Sequence, residues 1–492
     1  MASPRYPSLY QVNTRVYLTE LGRRLGRPAT LADIPDGMLD QVRDQGFDWI
    51  WWLSVWTTSP RSRQVSLTNS DWRREFEETL PDLTDDDIGG SGFAIEAYDV
   101  SPQLGGDEAL ADLRGRMRKR GLSLMLDFVP NHSGLDHRYL EESPEFYIAG
   151  TEEEVARSPG NYFRVALPGG PEFVALGRDP NYPAWPDVLQ FNYGVAGLQK
   201  SLTNELLRIA ERCDGVRCDM AMLMLPEIFQ RTWGITPPSF WPEATAAVRR
   251  AHPGFRFLAE VYWDLEWRLQ QQGFDWTYDK RLYDRLRHGD ATGLRGHLGA
   301  GLDFQDRLAR FLENHDEARA AASFPDDQHR AAAAITYLSP GLRFFYDGQF
   351  EGRLVRVSPH LVRAPAESVS SSLSEFYERL RSVLKRDVVR DGNWQLLDCS
   401  PAWDGNGTHN AFVTMAWTNG DQRLLVAVND SADQAQCYCR LPWAGLARHR
   451  VRLTDLLGNA TYERDGAELL DRGLYLDVLP WTAHAFDVAV EE

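Results

Sequence analysis

The chain has 492 residues and a net charge of −18 with its histidines neutral, and 43% of its residues are hydrophobic. This length allows two to four domains, and the composition is that of a globular protein rather than a disordered one. The negative charge repels phosphate backbones and anionic lipid headgroups, so we expect neither nucleic acid nor a membrane as the main partner. The sixteen tryptophans leave two interpretations open: core packing, or flat surfaces for a ligand such as a sugar ring.

The N-terminal region and the cysteines predict a compartment. Residues 1–7 lack the apolar region of a secretory signal, and no apolar run approaches the 18 residues of a membrane span. Five cysteines are few and odd in number, and Cys437 and Cys439 stand in an alternating run where buried, inert thiols are expected. We therefore predict a reducing, cytoplasmic location.

Short apolar runs alternate with amphipathic stretches over the first 384 residues. Eight such pairs favour a closed (β/α)8 TIM barrel over an open doubly wound sheet, and the G-x-G-x-x-G fingerprint of the open fold is absent. The predicted strands are Leu9–Val16, Phe47–Leu53, Leu122–Phe128, Gly215–Asp219, Phe255–Glu260, Phe274–Tyr278, Leu308–Glu313 and Leu342–Tyr346. The predicted helices are Gly37–Gln45, Asp107–Lys119, Gly197–Arg212, Phe240–His252, Leu265–Gln272, Lys280–His288, Asp327–Leu338 and Ser370–Leu384.

The barrel pattern is interrupted and then replaced. Thr57–Ser91 is predicted to be a long acidic loop, and the interval after strand three, rich in Pro, Gly and aromatic residues, is predicted to be an inserted subdomain. Beyond Leu384 short alternating runs predict a C-terminal antiparallel β-sandwich. The predicted domains are 1–132 and 194–386 for the barrel, 133–193 for the insertion and 387–492 for the all-β domain.

Polar side chains stand at the ends of four predicted strands, where the active site of such a barrel lies. They are Asp127 near the end of strand three with Asn131 and His132 just after it, Arg217 and Asp219 in strand four, Glu260 in strand five, and His315 and Asp316 after strand seven. Each residue alone has an ordinary structural interpretation as a helix cap or a buried hydrogen-bonding group. Together on one concave face the carboxylates repel, so at least one should be neutral. Glycoside hydrolysis requires one ionised carboxylate and one protonated carboxylic acid.

These strand ends, taken together, resemble the four signature segments of the α-amylase superfamily, glycoside hydrolase family 13. The segments are Asp127–His132, Gly215–Asp219, Glu260 and Asn314–Asp316, and Ser91–Tyr98 is similar to a further loop of that family. The resemblance implies a barrel with an inserted domain B and a β-rich domain C. It also implies a retaining reaction, with Asp219 as nucleophile, Glu260 as general acid/base and Asp316 as the group that stabilises the transition state.

The resemblance implies substrate-binding roles as well. Arg217 would keep the nucleophile ionised, His132 and His315 would bind the sugar, Asp127 and Asn131 would hold the rim together, and Phe93 would stack on the ring. Among the tryptophans, Trp52 and Trp263 are the better candidates for sugar stacking.

Departures from the family pattern concern specificity and metal binding. Phe93 replaces a Tyr that is frequent in the family, and Ala94 replaces an Asp that recognises a terminal glucose in some members, which argues against a strictly exo-acting enzyme that cleaves disaccharides. We expect no metal and no cofactor. Calcium stays open as an alternative, because the resemblance implies a site on Asn131 and acids of the insertion, but the sequence does not identify those acids.

Three functions remain open. The first is an α-glucan hydrolase that acts on malto-oligosaccharides or on fragments of glycogen or starch. The second is a transglycosylase with the same site, such as a glucanotransferase or a trehalose-forming enzyme, or one that transfers to phosphate. The third, from another class, is a non-catalytic carbohydrate-binding or scaffold protein on the same fold. A metal-dependent barrel enzyme is disfavoured because the two His residues lie on different strands and each follows an Asn.

Overall fold

Eight parallel strands form a closed barrel in the computed structural model, which describes residues 4–166 and 170–491. Each strand pairs with its neighbours in the chain, and the last strand pairs with the first. Nearly every strand residue is buried, because side chains fill the barrel and helices cover it. The predicted (β/α)8 barrel is confirmed. Its strands are β1 Ser8–Asn13, β2 Trp49–Leu53, β3 Ser123–Phe128, β4 Gly215–Cys218, β5 Arg256–Ala259, β6 Trp276–Tyr278, β7 Leu308–Arg310 and β8 Leu342–Tyr346.

The helices around the barrel begin and end within one or two residues of their predicted positions. They are Asp36–Asp44, Gly106–Lys119, Ala196–Arg212, Trp241–Ala251, Glu266–Gln270, Lys280–His288, Asp326–Tyr337 and Ser371–Leu384. Further helices that the sequence did not predict are Thr14–Leu25, Pro226–Trp233 and Ala291–Leu298. The predicted strand Leu9–Val16 was too long, since Asn13 Oδ1 accepts a hydrogen bond of 3.3 Å from the Val16 N–H and begins a helix there.

Thr57–Ser91 is not the plain loop predicted from its acidic composition. It contains two helices, Pro60–Thr68 and Ser70–Thr79, each begun by a capping side chain. Ser59 Oγ accepts from the Ser62 N–H at 3.0 Å, and Asn69 caps the second helix. This segment packs on the loop after β8 through a small apolar cluster formed by Phe76, Leu80, Ile88, Val357 and Leu361.

An antiparallel sheet lies between β3 and helix Ala196–Arg212, within the interval assigned to an insertion. Its strands are His132–Gly134, Ala149–Gly150, Tyr162–Arg164, Phe173–Gly177 and Trp185–Gln190. The first strand pairs with the last, so that His132 lies opposite Gln190. The insertion therefore begins at the rim of the barrel and brings His132 to that rim.

The C-terminal part of the chain forms two antiparallel sheets, in agreement with the predicted all-β domain. The larger sheet contains Asn393–Leu397, Phe412–Asn419, Gln422–Asn429, Arg450–Asp455, Thr461–Asp465 and Ala483–Glu491, and the smaller contains Cys399–Pro401, Ala435–Cys439 and Leu474–Val478. Within the described ranges no helix is both long and apolar enough to cross a membrane. The cytoplasmic location stays a prediction.

Candidate active site

The carboxyl ends of the barrel strands hold the predicted catalytic residues at fixed positions. Asp219 follows β4 directly, and its N–H donates a hydrogen bond of 2.8 Å to the carbonyl of Phe128 on β3. Glu260 follows β5, and its N–H donates at 3.0 Å to the carbonyl of Cys218 on β4. Because both backbones are bonded to the adjacent strand, the barrel itself sets the separation of the two carboxyl groups.

Arg217 joins the predicted nucleophile and the predicted acid. Its guanidinium is fully buried, donates from Nη1 to Asp219 Oδ1 at 2.6 Å and places Nη2 2.7 Å from Glu260 Oε2. The same Nη2 lies 4.0 Å from Asp316 Oδ2. The rings of Trp51 and Phe93 lie 5.4 and 5.1 Å from the guanidinium carbon. The structure therefore brings all three predicted catalytic acids around one buried cation.

The three carboxyl groups do not have the same acidity. Burial raises the pKa of Glu260 to about 7, although the charge of Arg217 opposes that shift. Burial also raises the pKa of Asp219, again against the charge and hydrogen bond of Arg217. The Asp316 side chain is 39% exposed. Its partial desolvation acts in the same direction, but His315 and Arg217 outweigh it and lower the pKa of Asp316 to about 2. The site thus holds one carboxyl group that titrates near neutral pH, Glu260, beside one that is ionised there, Asp316.

Two histidines complete the inner surface of the site. His132 Nε2 lies 4.0 Å from Asp219 Oδ2, and burial lowers the pKa of His132 to about 3, so this imidazole is neutral. His315 Nε2 lies 2.9 Å from Asp316 Oδ2, and its Nδ1 accepts a hydrogen bond of 2.8 Å from the Gln11 side chain. That contact fixes the orientation of the imidazole ring beside the Asp316 carboxylate.

Asp127 and Asn131 support the rim from within the protein. Asp127 accepts hydrogen bonds from Trp51 Nε1 at 3.0 Å and from the Ser54 N–H at 2.9 Å. Asn131 Nδ2 donates to Gln190 Oε1 at 3.2 Å. Both residues are only 1% exposed. Their contacts match the role of holding the rim together rather than contact with a ligand.

Calcium does not fit the side chains around Asn131. A calcium ion binds oxygen atoms with free lone pairs. Here Gln190 Nε2 donates to Oδ1 of Asn131 at 3.1 Å and to its backbone carbonyl at 3.0 Å. A hydrogen-bond donor therefore stands where the cation would bind.

The predicted aromatic platforms lie in different environments. Trp52 is fully buried, and its ring packs edge-on against Tyr17 with centroids 5.6 Å apart. This burial contradicts the predicted stacking role, since neither face of the indole is accessible. Trp263 is partly exposed and borders an open cavity. Phe93 lies over His315 with ring centroids 5.3 Å apart, next to the carboxyl groups.

Three residues that contact the site lie outside the predicted set, because that prediction rested on charged residues at strand ends. Tyr262 donates from its hydroxyl to Glu260 Oε1 at 2.8 Å, and Tyr278 accepts from Arg217 Nε at 3.3 Å. Gln11 on β1 holds His315. Tyr278 is the last residue of a predicted strand, so a search that included neutral polar residues would have found it. The other two have no such signal.

Comparison with known proteins finds relatives among the α-amylases. The family model described as "Alpha amylase, catalytic domain" matches residues 37–164. Alpha-amylase MalA of Haloarcula japonica is 25% identical over 283 residues, which cover 56% of this chain and 38% of that protein. Alpha-amylase 3 of Dictyoglomus thermophilum is 22% identical over 302 residues, which cover 57% of each. The aligned part thus spans less than two thirds of the length of either relative.

A solved structure shares the fold over nearly the whole chain. The α-amylase of Geobacillus thermoleovorans, crystallised with acarbose, superposes with a TM-score of 0.68 and covers 99% of both chains at 17% identity. At that identity the likeness concerns the fold alone.

Proposed function

Because the chain belongs to the α-amylase superfamily, we propose that it is a retaining glycoside hydrolase that cleaves α-glucosidic bonds of malto-oligosaccharides or of glycogen or starch fragments. The observation that carries the proposal is the buried Arg217, bonded to both Asp219 and Glu260 beside an ionised Asp316. The relatives named as α-amylases support an α-glucan as the substrate.

In the first step Asp219 attacks the anomeric carbon of the sugar. Its Oδ1 is held by Arg217, so Oδ2, on the side of His132, is the oxygen that forms the new bond. The glycosidic C–O bond breaks, and the leaving oxygen takes the proton of Glu260, whose pKa of about 7 allows it to carry one. Enzyme and sugar are then joined by an ester bond.

In the second step Glu260, now ionised, removes a proton from water. The water attacks the same carbon, the bond to Asp219 breaks, and the sugar leaves with its original configuration. Positive charge develops on the sugar in both transition states, and the Asp316 carboxylate stabilises it because its low pKa keeps it charged. His132 and His315 face this space and would hydrogen-bond the sugar hydroxyls.

Transglycosylation is the second candidate, and one observation favours it. A cavity of about 470 Å³ adjoins the acid and could hold a sugar acceptor in place of water. The non-catalytic alternative does not account for two buried carboxyl groups beside one arginine. Burying charged groups lowers the stability of the fold, and a binding or scaffold protein gains nothing from that cost.

Incubation with maltoheptaose tests the proposal. We expect shorter maltooligosaccharides, with the α-anomer released first as measured by ¹H NMR before mutarotation. Asp219→Asn should fold like the wild type and lose at least about 1,000-fold in kcat, because removing a catalytic nucleophile has costs of that order. Longer products alone would establish the transferase, initial release of the β-anomer would contradict the mechanism, and an inert wild type would favour the non-catalytic alternative.

A further inference from the structure

A second cavity lies at the opposite end of the barrel from the proposed catalytic residues. Its volume is about 700 Å³, within the range of small-molecule sites. Of its lining residues, Arg256 begins β5, Asp275 directly precedes β6 and Arg307 directly precedes β7. These are the amino ends of the strands, whereas the proposed nucleophile and acid follow the carboxyl ends of β4 and β5. The cavity is therefore separate from the candidate active site.

Positive charge is concentrated in the lining of this cavity, although the chain as a whole has a net charge of −18. Four arginines contribute to the lining, and Asp275 is its one acidic residue within the described ranges. A further carboxylate, Asp306, accepts a hydrogen bond of 2.7 Å from Nη2 of one of them, Arg5. Four guanidinium groups thus stand against two carboxylates, and the local potential favours an anion. The four are Arg5, Arg249, Arg256 and Arg307.

Asp275 holds two of these arginines in place without using all of their donors. It accepts hydrogen bonds from Arg256 Nη1 at 2.7 Å and from Arg249 Nη2 at 2.9 Å. The Phe257 N–H donates to the same carboxylate at 2.8 Å, and the Phe257 ring lies 5.2 Å from the guanidinium carbon of Arg249. Because a guanidinium has five N–H donors, both arginines are held in position and keep donors for a ligand.

Arg307 differs from the other three arginines because no ion pair joins it to a carboxylate of the described residues. Its Nη1 donates to the backbone carbonyl of Gln270 at 3.2 Å, whereas Asp275 and Asp306 pair with the other arginines. Arg307 is also exposed. Its charge is therefore available to an anion that enters the cavity.

We propose that this cavity binds a small phosphate ester, such as the phosphate of a sugar or of glycerol. Guanidinium groups bind phosphate oxygens through paired N–H donors, so several of them around one cavity match a phosphate dianion. A cavity of this volume holds more than a phosphate ion, so an organic part is expected beside the phosphate.

The other lining residues indicate the chemistry of that organic part. Phe274 and Trp276 are only 1% and 8% exposed, so neither offers a ring face on which a nucleobase could stack. Gln271 is exposed, and its amide can donate to and accept from hydroxyl groups. The ligand is therefore a polar ester rather than a nucleotide.

Isothermal titration calorimetry with glycerol 3-phosphate tests the proposal at about pH 8, where the phosphate carries nearly two charges. We expect one site per chain and at least about 3-fold tighter binding than for inorganic phosphate, because the organic part adds contacts. Arg307→Gln should weaken binding about 10-fold, the size expected when a hydrogen bond between charged groups is lost. Arg256→Gln should have a similar effect, since Asp275 keeps Arg249 as its partner.

Arg250→Gln is the matched control. Arg250 is exposed and adjacent to Arg249 in the chain, but it lies outside the cavity lining. The variant changes the net charge as much as Arg307→Gln does, yet the Kd should stay within about 2-fold. The melting temperatures of all three variants should stay within about 2 °C of the wild type, which checks their folding.

Four results would each overturn the proposal. They are the absence of saturable binding to the wild type, an equal loss of affinity in Arg307→Gln and Arg250→Gln, binding of inorganic phosphate as tight as that of the ester, and tighter binding of AMP than of glycerol 3-phosphate. The titration measures no turnover, so failure of the proposed hydrolysis would leave its result unchanged.

Discussion

The contacts of Arg217 affect the pKa values of both neighbouring carboxyl groups, Asp219 and Glu260. A fully buried guanidinium is costly unless its donors are paired, and here they meet Asp219, Glu260 and the hydroxyl of Tyr278. The same contacts favour the ionised forms of both carboxyl groups, while burial favours the neutral forms. The balance leaves Glu260 with a pKa near neutrality.

The rate should depend on pH in a bell-shaped manner. In the proposed mechanism Asp219 is ionised, so kcat/KM should fall at low pH, and Glu260 is protonated, so kcat/KM should fall as the pH rises through about 7. Tyr262→Phe removes a donor to the Glu260 carboxylate, which destabilises the ionised form and raises the pKa of Glu260. We expect the alkaline limb to move to higher pH by up to about one unit. Steady-state kinetics between pH 4 and pH 10 measure this shift.

Tyr147→Phe provides the comparison for that experiment. This tyrosine is also buried, but its hydroxyl lies 2.8 Å from Ser133 Oγ in the insertion. Its variant should lose some stability and keep the wild-type pH profile. A shift of equal size in both variants would show that packing, and not the bond to Glu260, sets the alkaline limb.

Glu260→Gln should separate the two chemical steps. The variant lacks the proton donor, so turnover of maltooligosaccharides should fall by at least about 100-fold, within the range attributed to general acid catalysis. A substrate with a good leaving group, such as an α-glucosyl fluoride, needs no protonation and should still form the covalent intermediate. Trapping that intermediate by mass spectrometry checks the result. An equal loss in the first step for both substrate types would argue against the acid role.

At the scale of secondary-structure elements, the segment Thr57–Ser91 is held against the loop after β8. It is attached to the loop after β8 by Arg363, whose Nε and Nη2 donate to the two oxygens of Asp87 at 2.6 and 2.8 Å. Ser66 Oγ lies 2.8 Å from His360 Nδ1 in the same interface. Two segments that are distant in the chain are thus joined in one interface.

A double-mutant cycle measures this attachment. Asp87→Ala, Arg363→Ala and the double variant should give a coupling free energy of about 2 kcal/mol, since the paired side chains are nearly buried and doubly hydrogen-bonded. Urea unfolding measures the change in the free energy of unfolding for each of the three variants. Coupling below about 0.5 kcal/mol would mean that the apolar cluster alone holds the segment.

At the scale of the whole molecule, the barrel and the C-terminal domain share one core. Val413, Met415 and Trp417 belong to the same buried cluster as the barrel residues. Trp417 Nε1 donates to the carbonyl of Leu338 at 2.9 Å, and its ring packs edge-on against Tyr6. The two parts therefore bury each other's apolar surface.

We expect the barrel and the C-terminal domain to unfold in a single transition. Trp417→Ala should lower the free energy of unfolding by about 3–5 kcal/mol, as for other buried tryptophans, and should reduce activity at elevated temperature. Trp403→Ala, at a residue 57% exposed in the same domain, should change it by less than about 0.5 kcal/mol. Calorimetry and activity measured on the same samples check both values. Two separate transitions would contradict a shared core.

The sequence by itself predicted the barrel, the rim at which its acidic residues meet and the resemblance to the α-amylase superfamily. Strands buried on both faces are continuous apolar runs, and parallel strands end at one edge, so Asp219 and Glu260 could be assigned to one rim from the sequence. The helices inside Thr57–Ser91 were not predicted. Their apolar residues pack on a loop that is distant in the chain, and the local sequence does not show that contact.

Only the tertiary structure decided which side chains meet. Trp52 and Trp263 have the same side chain but lie in different environments, because Trp52 is buried in the barrel and Trp263 borders a cavity. The contact of Gln11 with His315 joins residues 304 positions apart. The acidity of Glu260 likewise depends on burial and on the position of Arg217, which are properties of the packed molecule. The sequence shows at which end of a strand a residue lies. Its burial and its distance from residues of other elements are determined only when the strands close into a barrel.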